Sequence, residues 1–218
     1  MNRKERTRII IGAVINISVF CLSIYCLSTF IKYAMSGSPD NRFRYYTNIS
    51  NLTVGFIALP NAILLIISSI KGRMIYPKFF SIIKYVGLTM TTLTFFTVLF
   101  ILAPLTSYKI MYQNMRFITH LVIPVLVLVS FFFFEEKTIF KWKFSLLGFL
   151  PPTIYSFVYA VCVFGLKVWP DIYQINTQGI WYVYEILVSL FGFFLAEVLY
   201  FTKKLVIDKL FIERGFEH

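Results

Sequence analysis

Apolar positions fall in long unbroken runs separated by short polar stretches. Runs of about 20 residues cover roughly 9–31, 45–70, 79–104, 117–134, 144–166 and 180–202. Each is long enough, as a helix rising 1.5 Å per residue, to cross a hydrocarbon layer of about 30 Å. The pattern predicts an all-α polytopic membrane protein of six transmembrane helices, with residues 1–218 as one domain. The first run follows NRKERTR and carries no convincing cleavage site, so it reads as a retained helix rather than a secretory signal. Helix 1 is apolar apart from Asn16, Ser18 and Ser23, and anchoring is its expected role. Pro151 and Pro152 sit a turn or two inside helix 5 and predict a kink there. Helix 3 carries Thr89, Thr91, Thr92, Thr94 and Thr97, which threonine back-bonding to the preceding turn accommodates in an apolar helix.

Composition agrees with the pattern. Hydrophobic residues make up 58% of the chain and charged residues 14%, against about 25% charge in a soluble domain. The net charge of +11 would suit nucleic acid, but its placement argues otherwise. Counted by alternate sides, 15 of the 21 Lys and Arg fall on the side of the N-terminus, Lys84, Lys137, Lys203 and Arg214 among them, and 6 on the other. The positive-inside rule then puts both termini in the cytoplasm. The basic excess acts as a topology signal and an attraction to anionic lipid, with no nucleic-acid partner required. The expected location is a plasma membrane of bacterial type. Cys21, Cys26 and Cys162 have no C-x-x-C spacing and read as small buried hydrophobes.

The most polar point inside an apolar run is the start of the second, RFRYYTNISNLTVGFIALPN. Thr47, Asn48, Ser50, Asn51 and Thr53 place five hydrogen-bonding side chains in seven positions. On helical spacing Thr47, Asn51, Gly55 and Ala58 share one small-residue face. One reading is back-bonding and close helix packing; the other is a site. The loop Gly37–Pro39–Asp40 supplies turn chemistry before it.

Only His120 and His218 are histidines. There is no G-x-S-x-G, P-loop or G-x-G-x-x-G pattern. His, Cys, Asp and Glu are too scattered for a metal site, and no cofactor is expected. His120 is therefore the ordinary candidate for acid–base chemistry near neutral pH. Helices 2, 4 and 6 all start on the outer side. Thr47 lies three residues after Arg44 and His120 four after Arg116, so each sits roughly 5 Å below its arginine. Glu185 falls at a similar level. Ionisable groups at this depth suggest function. For Glu185 and for the deeper Glu197 a structural partner near the interface is the competing reading.

Tyr45-Tyr46-Thr47, His120 followed by Pro124, and Ala196-Glu197-Val198-Leu199 together resemble motifs of the androgen-induced and androgen-dependent TFPI-regulating family of multi-pass membrane hydrolases and their bacterial relatives. The resemblance runs in order over most of the chain. It implies a threonine hydrolase of fatty acid esters of hydroxy fatty acids, with Thr47 as nucleophile and His120 as general base. In such a mechanism Asn48 or Asn51 would donate to the oxyanion, and Arg44 and Arg116 would hold a substrate carboxylate or phosphate. The acyl chain would enter laterally from the outer leaflet, with membrane lipids as the surroundings. The rival is a lipid- or small-molecule-binding protein or transporter that uses the same polar cluster. A third option is an assembly subunit.

Overall fold

A computed structural model describes residues 1–37, 41–135, 140–176 and 179–212, with side chains described through Asp208. Pro39, Asp40, Lys137, Arg214 and His218 lie outside the described residues. Six long helices account for most of the chain: α1 (Arg3–Met35), α2 (Tyr46–Lys71), α3 (Lys78–Leu105), α4 (Met115–Phe134), α5 (Trp142–Gly165) and α6 (Trp181–Ile212). All six contain a stretch long and apolar enough to cross a membrane. The chain is an all-α integral membrane protein. Helices satisfy every backbone group within themselves, which is the requirement in hydrocarbon.

The helix ends follow local chemistry. Asn2 caps α1 by accepting from the Glu5 N–H at 2.9 Å. α2 stops at Gly72, which takes the left-handed φ of 66° that ends helices cheaply in glycine. α3 is the central helix, with 56% of its apolar window buried, and it touches α2, α4, α5 and α6. α6 is the most peripheral, with 22% of its window buried. The core joins Val19, Val54, Tyr85, Leu88, Ile123, Val127 and Ala196 from five helices.

Three local features differ from or extend the sequence reading. Pro151 and Pro152 do not kink an α-helix. Trp142–Gly148 is 3₁₀-helical and the α-helical part of α5 begins at Leu150. The prolines thus occupy its first turn, where a missing N–H costs nothing. Wide π-helical turns at Val98–Leu102 in α3 and Ile118–Val122 in α4 end just before Pro104 and Pro124. Each proline lacks the N–H for the carbonyl four residues earlier, and a widened turn absorbs the ring. The cysteines are not uniformly buried: Cys26 is, Cys21 faces outward and Cys162 is intermediate. In lipid an outward apolar side chain is already in its preferred solvent.

The small-residue face of α2 serves helix packing at its lower part. A Cβ built on Gly55 would lie 2.2 Å from the Ser23 Cβ of α1, and the Ser23 hydroxyl donates to the Asn51 carbonyl at 3.1 Å. Gly55→Leu is therefore expected to force α1 and α2 apart. The loss should be at least the 1–3 kcal/mol typical of overpacking, seen as a lowered thermal unfolding midpoint in detergent. A midpoint equal to wild type would mean that this contact is not made.

Candidate functional site

The start of α2 is built from its neighbours. Asn41 accepts from the Phe43 N–H at 3.0 Å and sets a single 3₁₀ turn, Arg42–Arg44. The Tyr46 N–H, exposed at the helix start, donates to the Tyr173 hydroxyl at 3.0 Å. A tyrosine distant in sequence thus does the work of a cap. Asn48 turns back to the Arg42 carbonyl at 2.7 Å. Asn51 donates to the carbonyls of Thr47 at 2.6 Å and of Thr119 in α4 at 3.0 Å, making α2 and α4 neighbours. Ser50 reaches the Thr47 carbonyl and the Thr94 hydroxyl of α3, at 3.0 and 3.1 Å. Thr53 back-bonds to Ile49 at 2.9 Å. Most of the polar cluster therefore holds helices together.

The Thr47 side chain differs from its neighbours. It lines a cavity of about 420 Å³ bounded by α2, α3, α5, α6 and the segment before α6. One wall is aliphatic, from Leu93, Val98, Ile101, Leu102, Leu105 and Val188. Another is aromatic, from Tyr46, Tyr155, Tyr159, Tyr173 and Tyr184. Its polar groups include Thr47, Thr94, Thr97, Ser156, Gln174 and Glu185, the last of these the only charged residue among those lining it. The Ser156 hydroxyl donates to Glu185. Of the inward-facing threonines of α3, Thr89 bonds back to Tyr85 at 3.0 Å, Thr91 to Gly87 at 3.2 Å and Thr94 to Met90 at 3.3 Å, while the Thr92 hydroxyl is buried without a partner among the described residues.

The aromatic wall is fixed by one carboxylate. Asp171 accepts from the Tyr159 hydroxyl at 2.8 Å and from the N–H groups of Ile175 and Asn176 at 3.2 and 3.1 Å. Tyr155 donates to the Arg44 carbonyl at 2.6 Å. Burial pushes the Tyr173 phenol above its ordinary value, so near neutral pH it remains a hydroxyl that can receive the Tyr46 N–H. Asp171→Ala removes three bonds at once. It should release the 166–176 segment, measured as at least tenfold faster amide exchange at Ile175 and Asn176. Unchanged exchange would show that the loop is held by other means.

His120 stands elsewhere. It is buried on the π turn of α4 and its Nδ1 lies 2.8 Å from the Met111 carbonyl. A carbonyl only accepts, so Nδ1 carries the proton, and in the neutral ring Nε2 is the basic nitrogen. His120 does not line the cavity, and it shares no hydrogen bond with Thr47. The two α-helices meet one turn below Thr47, at Asn51 and Thr119. Arg116 donates to the Ile110 carbonyl at 3.2 Å, and the Arg44 guanidinium lies over the Trp169 ring at 5.9 Å. Of the residues expected to converge, Thr47 and Glu185 share the cavity, while His120, Arg44 and Arg116 are not among its lining. Glu197 accepts from Trp142 and Ser145 at 2.6 and 2.7 Å, tying α6 to the start of α5. Among the described residues, no three His, Cys, Asp or Glu side chains group as metal ligands would.

A second polar centre was not legible as such. Lys84 and Glu135 form a 2.9 Å ion pair in the other half of the bundle, with side chains 1% and 4% exposed. Glu135 Oε1 also accepts from Ser130 at 2.6 Å, Asn61 at 3.0 Å and Asn16 at 3.3 Å. Lys84 donates to Asn16, and Tyr76 to Asn61. α1 to α4 all contribute, so α1 is more than an anchor. Lys203 of α6 is buried beside it, donating to the Phe131 carbonyl. Lys84 and Lys203 are thus interior groups, not free charges at the membrane surface. The signal available in sequence was Asn16 and Asn61, each a lone amide deep in an apolar run.

No family model, curated protein or solved structure matches the chain.

Proposed function

We propose that this protein takes an amphiphile with an acyl or alkyl chain from the surrounding bilayer into the cavity beside Thr47. The observation that carries the reading is the cavity itself: an aliphatic and aromatic hollow with a few converging polar groups, which is how small-molecule sites are built. Its rim includes Ile101 and Leu105, among the exposed large apolar residues of α3. In a bilayer these face acyl chains, so a lipid chain can pass sideways into the hollow without meeting water. In this reading the excess of Lys and Arg on the side of the N-terminus supports an outward position for this half of the bundle. The test is saturable binding of a fluorescent single-chain amphiphile to purified protein in nanodiscs. Signal that grows linearly with probe and never saturates would reject the reading.

Hydrolysis of a bound ester is a second reading, favoured by two observations. Thr47 lines the cavity, and its hydroxyl makes no hydrogen bond to the described residues. His120 has its Nδ1 held by the Met111 carbonyl, the way a triad's third member orients the imidazole. In this reading Thr47 Oγ attacks the ester carbon while a base takes its proton. The alcohol leaves with that proton, and water then cleaves the acyl-threonine to the acid. His120 Nε2 must swing into reach of Thr47, within about 3.2 Å, for the dyad to work. Labelling by a fluorophosphonate is expected in wild type and lost in Thr47→Ala and His120→Ala. A folded wild type that never labels removes hydrolysis and leaves the binding reading.

A further inference from the structure

The cavity's own charge narrows what it can take. Among the described residues, Glu185 is the single charged residue that lines it, and no Lys or Arg does. Ser156 supplies one hydrogen bond to this carboxyl, leaving most of its acceptor capacity open. The surrounding tyrosines form a continuous aromatic wall. Ring centroids lie 5.0 Å apart for Tyr46 and Tyr155, 6.1 Å for Tyr155 and Tyr159, and 5.2 Å for Tyr159 and Tyr173. The hydroxyls of Tyr155 and Tyr159 are committed to the Arg44 carbonyl and Asp171, so these residues offer the cavity ring surface.

These features complement a cation. Aromatic walls attract ammonium groups through the ring quadrupole, and a carboxylate supplies the neutralising charge. A carboxylate placed beside Glu185 would meet like charge at short range with little water to screen it.

Resting on the reading of the cavity as an amphiphile site, we infer that its ligand is a single-chain amphiphile with a cationic amine or ammonium headgroup. The headgroup sits between Glu185 and the tyrosine wall, and the chain runs along Leu93, Val98 and Leu102 toward the rim. This sets the ligand apart from the carboxylate-bearing esters that the resemblance implies.

The experiment compares three probes of equal chain length below their micellar concentrations: an alkylamine, an alkyl carboxylate and an uncharged alkyl alcohol. Each displaces a fluorescent amphiphile from the purified full chain in nanodiscs of uncharged lipid. Wild type is expected to bind the amine at least tenfold more tightly than the carboxylate. Glu185→Gln should lose that preference, and Glu185→Asp, which restores the charge, should recover most of it. An unaltered unfolding midpoint confirms that each variant is folded. Saturable binding with equal affinity for all three probes, or tighter carboxylate binding, overturns the inference while leaving the amphiphile site standing. Binding of none of the three overturns both.

Discussion

Lys84→Met, with Glu135 left in place, is expected to lose about 3–5 kcal/mol of stability, the usual consequence of removing one partner from a buried ion pair. Glu135 Oε1 then keeps hydrogen bonds from Ser130, Asn61 and Asn16 alone, and the nearby Lys203 ammonium is committed to the Phe131 carbonyl. Those neutral donors cannot replace the ammonium at 2.9 Å. Glu135→Ala should cost a similar amount, since it strands Lys84, 1% exposed, and three donors that converge on one oxygen. The double variant Lys84→Met/Glu135→Leu is expected to recover part of the loss, because an apolar pair of similar volume needs no desolvation. Recovery stays incomplete because Asn16 and Asn61 keep unsatisfied amides. Thermal unfolding in detergent provides the readout. Single variants within 1 kcal/mol of wild type would show that this centre does not hold α1 to α4 together.

Thr97→Trp is the second large effect, and it falls on binding. Thr97 lines the cavity from α3 without belonging to the buried core. An indole at that position projects into a hollow of about 420 Å³ and competes with an alkyl chain for the same space. The expected loss is at least tenfold in amphiphile affinity, about 1.4 kcal/mol. The control Phe79→Trp places the same indole at a position 69% exposed at the start of α3, and should leave affinity at the wild-type value. Equal affinity in Thr97→Trp and wild type would move the site out of this cavity.

The six spans were legible because each is set by local apolar continuity, and the helices cover those runs, with α1 and α6 running on into the charged flanks. Depth was legible as well. Counting from Arg44 and from Ile180 put Thr47 and Glu185 at one level, and both line the cavity. Counting gives no azimuth, however. His120 has a similar depth by the same arithmetic but faces the Met111 carbonyl rather than the cavity. The widened turn before Pro124 rotates residues relative to an ideal helix, and its geometry depends on packing as much as on sequence.

The ion pair was hidden for a different reason. Lys84 stands near the end of an apolar run, where a long side chain that snorkels to the interface looks the same on paper. Glu135 follows the apolar run directly and opens the polar stretch EEK. Only the packing of α3 against the end of α4 brings the two together. The tyrosine wall draws on aromatic residues that the sequence spreads over three separate stretches. Its assembly around Asp171 joins residues of α5 and the segment before α6 with the start of α2, a long-range arrangement that composition does not encode.

The most direct measurement is photocrosslinking in membranes with a single-chain amphiphile that carries a diazirine on its alkyl chain, followed by peptide mapping. The cavity reading predicts adducts concentrated at Leu93, Val98, Leu102 and Val188, suppressed by an excess of the unlabelled amphiphile. Adducts spread evenly over the lipid-facing positions of all six helices, unaffected by competitor, would contradict it.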